Sequence, residues 1–155
     1  MKIGILVYSQ TGNTLSVAAK LRDRLKAAGH SVALERITLA GERKQGVRAF
    51  ELAALPDVSP HELLVIGSPV EAFSRSPVTV KALEQIDSLQ QKSVLCLVTQ
   101  GFPFPWLGGN RAIRQMTALC EGKGAVVRGG TVVNWVAKTL DRRIADAVDK
   151  LAGLV

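Results

Sequence analysis

The chain has 155 residues, a formal net charge of +7 at pH 7, 47% apolar residues and 21% charged residues. This length is typical of one domain around one core, so we interpret residues 1–155 as a single domain, and the composition argues against disorder. No apolar run is long enough to cross a bilayer, and Met1-Lys2 leads into a predicted strand without a signal segment, so we expect a cytoplasmic protein with no membrane partner.

The first half of the chain predicts two strands and one helix. Residues 3–8 form an apolar run typical of a buried strand, and about residues 14–28 carry the apolar spacing of an amphipathic helix that ends at Gly29. Alternation from Ser31 to Thr38 predicts a strand near the sheet edge. Residues 39–61 lack a helical pattern, so we expect a degenerate second helix: a mostly irregular connection with a short extended piece at Phe50 to Leu52.

The second half alternates strands and helices more clearly. We predict a central strand at Leu63 to Ile66, ended by Gly67-Ser68-Pro69, and a helix with Pro77 in its first turn. A fourth strand is expected at Ser93 to Thr99, a helix up to Gly122 or Gly124, a fifth strand within Ala125 to Trp135 with a bulge at Gly129-Gly130, and a last helix over about 139–153.

This alternation predicts an α/β fold: a doubly wound, five-stranded parallel sheet with helices on both faces. Right-handed crossovers place every strand-to-helix loop at one end of such a sheet. In the strand order 2-1-3-4-5, a crevice opens between strands one and three. We therefore expect the loops 9–14, 68–75 and 99–109 to meet there.

The first loop predicts a phosphate site. Free N–H groups in the first turn of a helix and the helix dipole attract an anion, and small hydroxyl side chains add donors. The alternative is that one hydroxyl merely caps the helix. The loop is Ser9-Gln10-Thr11-Gly12-Asn13-Thr14.

The third loop is aromatic. Phe102, Phe104 and Trp106 are three of the seven aromatic residues in the chain. They could stack on a planar ring, or they could simply pack on the protein surface. Together with the first loop, they indicate a phosphorylated planar ligand.

Other phosphate chemistries do not fit the residues. Gly12-Asn13-Thr14 has no lysine, as a Walker loop would require, and the three spaced glycines of a dinucleotide fingerprint are absent. A phosphoryl receiver would need acidic residues where Ser9-Gln10 and Gly67-Ser68 stand.

Cys96 and Cys120 lack metal-ligand or redox-pair spacing and are expected to be reduced packing residues. The scattered basic residues, including Arg43, Lys44 and Arg48, predict a solvated surface rather than a nucleic-acid site.

The stretch from Tyr8 to Thr14 resembles the FMN-phosphate loop of flavodoxins, and nearly the whole chain resembles the short-chain branch of the flavodoxin-like family. The resemblance implies an FMN cofactor. It also implies that the loop at residues 68–73 touches the inner side of the flavin ring, that Thr99 to Gly109 approaches its pyrimidine edge and outer face, and that Phe104 or Trp106 stacks on it. The cofactor-binding residues are thus expected to be Ser9, Gln10, Thr11, Gly12, Asn13, Thr14, Ser68, Pro69, Val70, Glu71, Ala72, Phe73, Thr99, Gln100, Gly101, Phe104, Trp106 and Gly109.

The chain departs from the flavodoxin pattern in three respects. Val70 and Glu71 stand where many flavodoxins have an aromatic residue or glycine, and Phe102, Pro103 and Pro105 make the outer loop stiffer and more apolar. The net charge of +7 contrasts with the acidic surface of flavodoxins that dock on basic partners.

Three functions remain open from the sequence. The first is an FMN-binding redox protein that passes electrons between protein partners, and the sequence favours it because no second domain or nicotinamide site is evident. The second is an NAD(P)H-dependent reductase of flavin, quinone or another small acceptor. The third is a binding module that keeps the fold without flavin. No general acid–base group is expected, because a flavin carries its own chemistry.

Overall fold

The computed structural model of the chain describes residues 1–41, 50–101, 104 and 106–155. The strands are β1 (Lys2–Val7), β2 (Ser31–Arg36), β3 (Thr38–Leu39), β4 (Leu52–Ala54), β5 (Leu63–Glu71), β6 (Ser74–Arg75), β7 (Ser93–Gln100) and β8 (Val126–Asn134). The helices are α1 (Asn13–Ala27), α2 (Pro77–Gln85), α3 (Gly109–Gly122) and α4 (Leu140–Ala152), with a 3-10 turn at Ala137–Thr139.

The five long strands form a parallel sheet in the order β2-β1-β5-β7-β8. β1 lies between β2 and β5, with Ile5 opposite Leu34 on one side and Val65 on the other. Counted along the chain, these strands have the order 2-1-3-4-5, so the predicted fold class and strand order are confirmed. Because all five strands are parallel, their carboxyl ends lie at one edge of the sheet.

The core has two halves, one on each face of the sheet. Alternate residues of a strand point to opposite faces, so Ile3, Ile5 and Val7 pack with α1 and α4. Leu6 and Tyr8 pack on the other face, with α2 and α3. This double burial explains why the central strands are continuously apolar rather than alternating.

The prediction that Gly67-Ser68-Pro69 ends the third long strand is wrong. β5 continues to Glu71, pairs with β7 as far as Pro69 opposite Thr99, and then folds back as β6. β1 has already ended at Val7, so β5 is an edge strand on that side beyond Gly67, where a proline is tolerated. The expected loop at 68–75 is therefore largely a β-hairpin.

The connection from residue 39 to 61 contains no helix among its described residues. β4 pairs antiparallel with β3, so the extended piece expected at Phe50 to Leu52 is present but lies at Leu52–Ala54. Residues 42–49, with Arg43, Lys44 and Arg48, lie outside the described residues.

Two further sequence features have clear counterparts in the structure. The register between β7 and β8 shifts between Val94 and Leu95, and Gly129 lies opposite Leu95, which confirms the bulge predicted in the fifth long strand. Cys96 and Cys120 are free and buried, as expected of packing residues. None of the described helices is both long enough and apolar enough to traverse a membrane.

Candidate cofactor site

A cleft of about 170 Å³ opens at the carboxyl edge of the sheet, between the ends of β1, β5 and β7. The three loops predicted from the sequence to meet at this edge all contribute to it. The cleft is lined by Ser9, Gln10, Thr11, Asn13, Thr14, Pro69, Val70, Thr99, Gln100 and Gly101. Every one of these residues belongs to the set expected from the sequence, and the strand order alone explains why they converge.

The hydroxyl of Ser9 organises the first loop. Ser9 is buried, and its Oγ accepts hydrogen bonds from the backbone N–H of Gly12 at 3.1 Å and of Leu15 at 3.4 Å. A hydroxyl oxygen has two lone pairs and one hydrogen. Since both lone pairs are engaged by the loop, the hydrogen of Ser9 Oγ is the part that can be donated to a bound anion.

The start of α1 offers further donors. Gly12, the residue before the helix, has φ of 89°, a left-handed conformation that glycine adopts without strain. Among the described residues, the N–H groups of Asn13 and Thr14 have no hydrogen-bond acceptor, and the first turn of α1 carries no acidic side chain. The dipole of α1 places partial positive charge at this end. The loop therefore has the donor set that a phosphate group needs.

A pair of threonines ties this loop to β7. Thr14 and Thr99 are both buried, and their Oγ1 atoms lie 2.7 Å apart in a hydrogen bond. One hydroxyl donates in this bond, so the other keeps its hydrogen for a further acceptor. The contact fixes the start of α1 against the end of the fourth long strand, although the two residues are 85 positions apart.

Arg36 is a site residue that the sequence analysis missed. It is the last residue of β2, it is exposed, and its Nη2 donates to the carbonyl oxygen of Ser9 at 3.4 Å. The guanidinium therefore adds a positive charge beside the phosphate loop. The predicted strand order could have identified Arg36, because it places strands one and two side by side and the ends of adjacent parallel strands lie close together.

The wall formed by β7 is held by an amide network. The Nε2 of Gln100 donates to the carbonyl oxygen of Phe104 and to Oδ1 of Asn134, each at 2.5 Å. Trp135 N–H donates to the Gln100 carbonyl oxygen at 2.8 Å. Gly109 does not line the cleft: a Cβ there would lie 2.6 Å from Val132 and 2.7 Å from Gln100, so its close packing supports this wall from behind.

The residues of the second loop divide into two groups. Pro69 and Val70 face the cleft, whereas the hydroxyl of Ser68 is buried, donates to the Pro69 carbonyl oxygen at 3.0 Å and accepts from Thr79 at 2.7 Å. Glu71 accepts a hydrogen bond from the Ser76 hydroxyl at the start of α2. Ser68 and Glu71 therefore brace the hairpin against α2.

Ala72 and Phe73 form the two-residue turn of the hairpin, with φ of 49° and 60°. Positive φ at both positions is the geometry of a type I′ turn, which usually needs Asn or Gly, so the backbone is strained. The hairpin is pinned to α3 because Oε1 of Gln115 accepts from the Ser74 hydroxyl at 2.8 Å and from the Arg75 N–H at 3.1 Å. Gly108 allows the close approach, since a Cβ there would lie 2.7 Å from Phe73 Cα.

Phe104 and Trp106, the two aromatic residues of the third loop that the structure describes, do not line the cleft. Phe104 and Trp106 stack on each other with ring centroids 4.3 Å apart and planes 9° apart, and both are exposed. Phe73 and Trp106 line a second cavity of about 300 Å³ beside α3. The expected contributions of Phe102, Pro103 and Pro105 lie outside the described residues.

The two thiols are remote from this chemistry. Burial raises the pKa of Cys96 to about 11 and that of Cys120 to about 12. Both are therefore neutral at pH 7, and both belong to the core on the face of α2 and α3. Neither has the thiolate character that nucleophilic or redox chemistry needs.

No family model and no curated protein sequence matches the chain. Solved structures match over nearly its whole length. Flavodoxin 2 from Bacillus cereus superposes with a TM-score of 0.71 at 20% identity, covering 99% of this chain and 97% of that one. The Trp repressor binding protein from Bacillus subtilis gives 0.70 at 15% identity, with 100% and 99% covered. A flavodoxin from Streptococcus pneumonia TIGR4 gives 0.67 at 15% identity, with 100% of both chains covered. The chain therefore has the flavodoxin-like fold, as the sequence resemblance predicts.

Proposed function

We propose that the protein binds FMN in the cleft and transfers electrons between protein partners. The observation that carries the proposal is the convergence of the three loops, with free N–H groups and hydroxyl hydrogens on one side and Pro69 and Val70 on another. The flavodoxins among the structural neighbours support the same cofactor. Bound FMN would supply the redox chemistry, and the protein would supply binding, orientation and electrostatics.

Each part of the cleft would have a separate role in holding FMN. The N–H groups of Asn13 and Thr14 and the hydroxyl of Ser9 would bind the phosphate, and Arg36 would balance its charge. Val70 and Pro69 would pack on the inner face of the ring, where aliphatic contacts exclude water. The stretch from Thr99 to Gly101 would face the polar edge of the ring.

The first test is cofactor retention. The purified protein is mixed with excess FMN, desalted, and examined for flavin absorbance, with riboflavin as the matched ligand that lacks a phosphate. We expect FMN to be retained and riboflavin to bind more weakly, because riboflavin lacks the phosphate that α1 would hold. A protein that stays colourless after FMN and desalting would contradict the proposal and favour a flavin-free binding module.

A second candidate function is an NAD(P)H-dependent reductase of a small acceptor such as a quinone. The exposed Phe104 and Trp106 stack favours it, because a planar molecule could add to the same stack. Anaerobic mixing of the FMN-loaded protein with NADH and NADPH separates the two functions. If the protein transfers electrons only between protein partners, the flavin absorbance should bleach slowly. Rapid bleaching would favour the reductase.

A further inference from the structure

The aromatic residues exposed beside the cleft form one surface with two arginines. Phe73, Trp106, Arg111 and Arg114 together line the cavity of about 300 Å³, and we name these four residues the aromatic–arginine surface. A cluster of large exposed apolar side chains often marks a site of interaction with another molecule. In the described part of the chain, five large apolar side chains are exposed, and Phe73, Phe104 and Trp106 are three of them.

Two loops connect the aromatic–arginine surface to the proposed cofactor cleft. Phe73 lies at the tip of the hairpin whose first strand contributes Pro69 and Val70 to the cleft. Trp106 follows Gly101, another cleft residue, by five positions, and stacks on Phe104. A molecule bound on this surface would therefore contact the two loops that flank the cleft.

The charge of the surface is positive. Arg111 and Arg114 lie in the first two turns of α3 and are exposed. Within the described ranges, neither forms an ion pair. The only acidic residue of α3 is Glu121, near the other end of the helix. Elsewhere several basic side chains are matched, as Arg24 is with Asp149 at 2.5 Å and Arg142 with Asp146 at 3.9 Å. The positive charge beside the cleft is thus left for an external anion.

We infer that the aromatic–arginine surface docks an acidic electron-carrier protein. Tryptophan, phenylalanine and arginine are among the residues that are enriched in protein interfaces, where an aromatic anchor supplies affinity and complementary charge raises the encounter rate. The formal charge of +7 favours a partner of opposite charge at long range. This inference rests on the proposed function, since it names the class of protein that would exchange electrons with the cofactor.

The test uses two electron carriers of opposite charge as probes. A fluorescently labelled acidic [2Fe–2S] ferredoxin and a labelled basic cytochrome c are titrated with the protein at low ionic strength, and binding is followed by anisotropy. We expect the ferredoxin to bind, with an affinity that falls as salt is added, and cytochrome c to bind more weakly. Stronger binding of cytochrome c, or no binding of ferredoxin, would overturn the inference.

Matched charge reversals locate the surface. Arg111→Glu with Arg114→Glu should weaken ferredoxin binding by about ten-fold or more, because two attractive contacts become repulsive. Lys26→Glu with Lys150→Glu lowers the formal charge by the same amount, from +7 to +3, at exposed positions near the C-terminal ends of α1 and α4. Those helix ends lie at the opposite edge of the sheet, so we expect less than about a three-fold loss there. Equal losses in the two double variants would overturn the inference.

Trp106→Ala tests the aromatic part of the surface at constant charge. Trp106 is 68% exposed, so its removal should leave the midpoint of thermal unfolding nearly unchanged while weakening ferredoxin binding by about five-fold or more. Unchanged binding would contradict the role of the anchor. All these titrations measure protein binding and do not depend on flavin chemistry. If the protein fails to retain FMN but still binds ferredoxin, the proposed cofactor is refuted and the proposed docking surface is supported.

Discussion

Ser9→Ala removes the hydroxyl at the centre of the first loop. In the structure that oxygen accepts from Gly12 and Leu15, and its hydrogen remains for the phosphate of FMN. A hydrogen bond to a charged group contributes about 1.5 to 3 kcal/mol. At about 1.4 kcal/mol for each factor of ten, the FMN affinity should fall by about ten- to 150-fold. Loss of the loop contacts should also lower the free energy of unfolding by about 0.5 to 2 kcal/mol, as for a helix N-cap.

The assay is a titration of FMN and of riboflavin, followed by quenching of flavin fluorescence, for each variant. Because riboflavin has no phosphate, Ser9→Ala should weaken FMN binding far more than riboflavin binding. Ser16→Ala is the matched control: Ser16 is exposed on α1, and its hydroxyl donates to the carbonyl oxygen of Asn13 at 2.8 Å. We expect this control to change FMN affinity less than about two-fold, as for most surface substitutions. Equal losses for both flavins, or for both variants, would refute the assignment of the phosphate to this loop.

Two further predictions concern the protein's backbone and its thiols. Gly108→Ala should destabilise the protein by about 1 to 3 kcal/mol in urea unfolding, because φ of Gly108 is 112° and the new Cβ would clash with Phe73. Gly122→Ala is the control and should be neutral or slightly stabilising, because a Cβ at Gly122 has open space around it. Similar losses in both variants would contradict this account. Cys96 and Cys120, with pKa values raised to about 11 and about 12, should react slowly with an aromatic disulfide at pH 8 in the native protein and quickly once unfolded. Native thiols that react as fast as unfolded ones would argue against burial. Since the unfolded thiols ionise first, near the ordinary thiol pKa of 9.0, the raised pKa values should also lower the free energy of unfolding as the pH rises from about 9 toward 11.

The predictions from sequence succeeded where one local pattern had one structural solution. A continuous apolar run such as Leu63 to Ile66 is typical of a central strand of a parallel sheet, which is buried on both faces. Right-handed crossovers then place the three loops at one edge, and the strand order makes them neighbours. The failure at Gly67-Ser68-Pro69 has a physical cause. Turn-forming residues were read as the end of a strand, but the neighbouring β7 continues alongside and keeps β5 paired to Pro69.

The candidate site shows the same division. Ser9 and the N–H groups at the start of α1 follow from a strand-to-helix junction, so their role in the phosphate site could be predicted locally. The approach of Arg36 to Ser9 across 27 positions follows from no local pattern, and only the predicted side-by-side order of β1 and β2 could have indicated it. The bond between Thr14 and Thr99 depends in the same way on the assembled sheet.

The sequence by itself determined the alternation of strands and helices and the donor-rich loop at residues 9–14, because these follow from periodicity and backbone geometry. The order of the sheet follows instead from the doubly wound fold that this alternation resembles. Only the tertiary structure decided which donors remain available, how the hairpin at Glu71 to Ser74 is pinned, and that Phe73 and Trp106 share a cavity with Arg111 and Arg114. Those features come from contacts between residues far apart in the chain, and no local pattern encodes which side chains will meet.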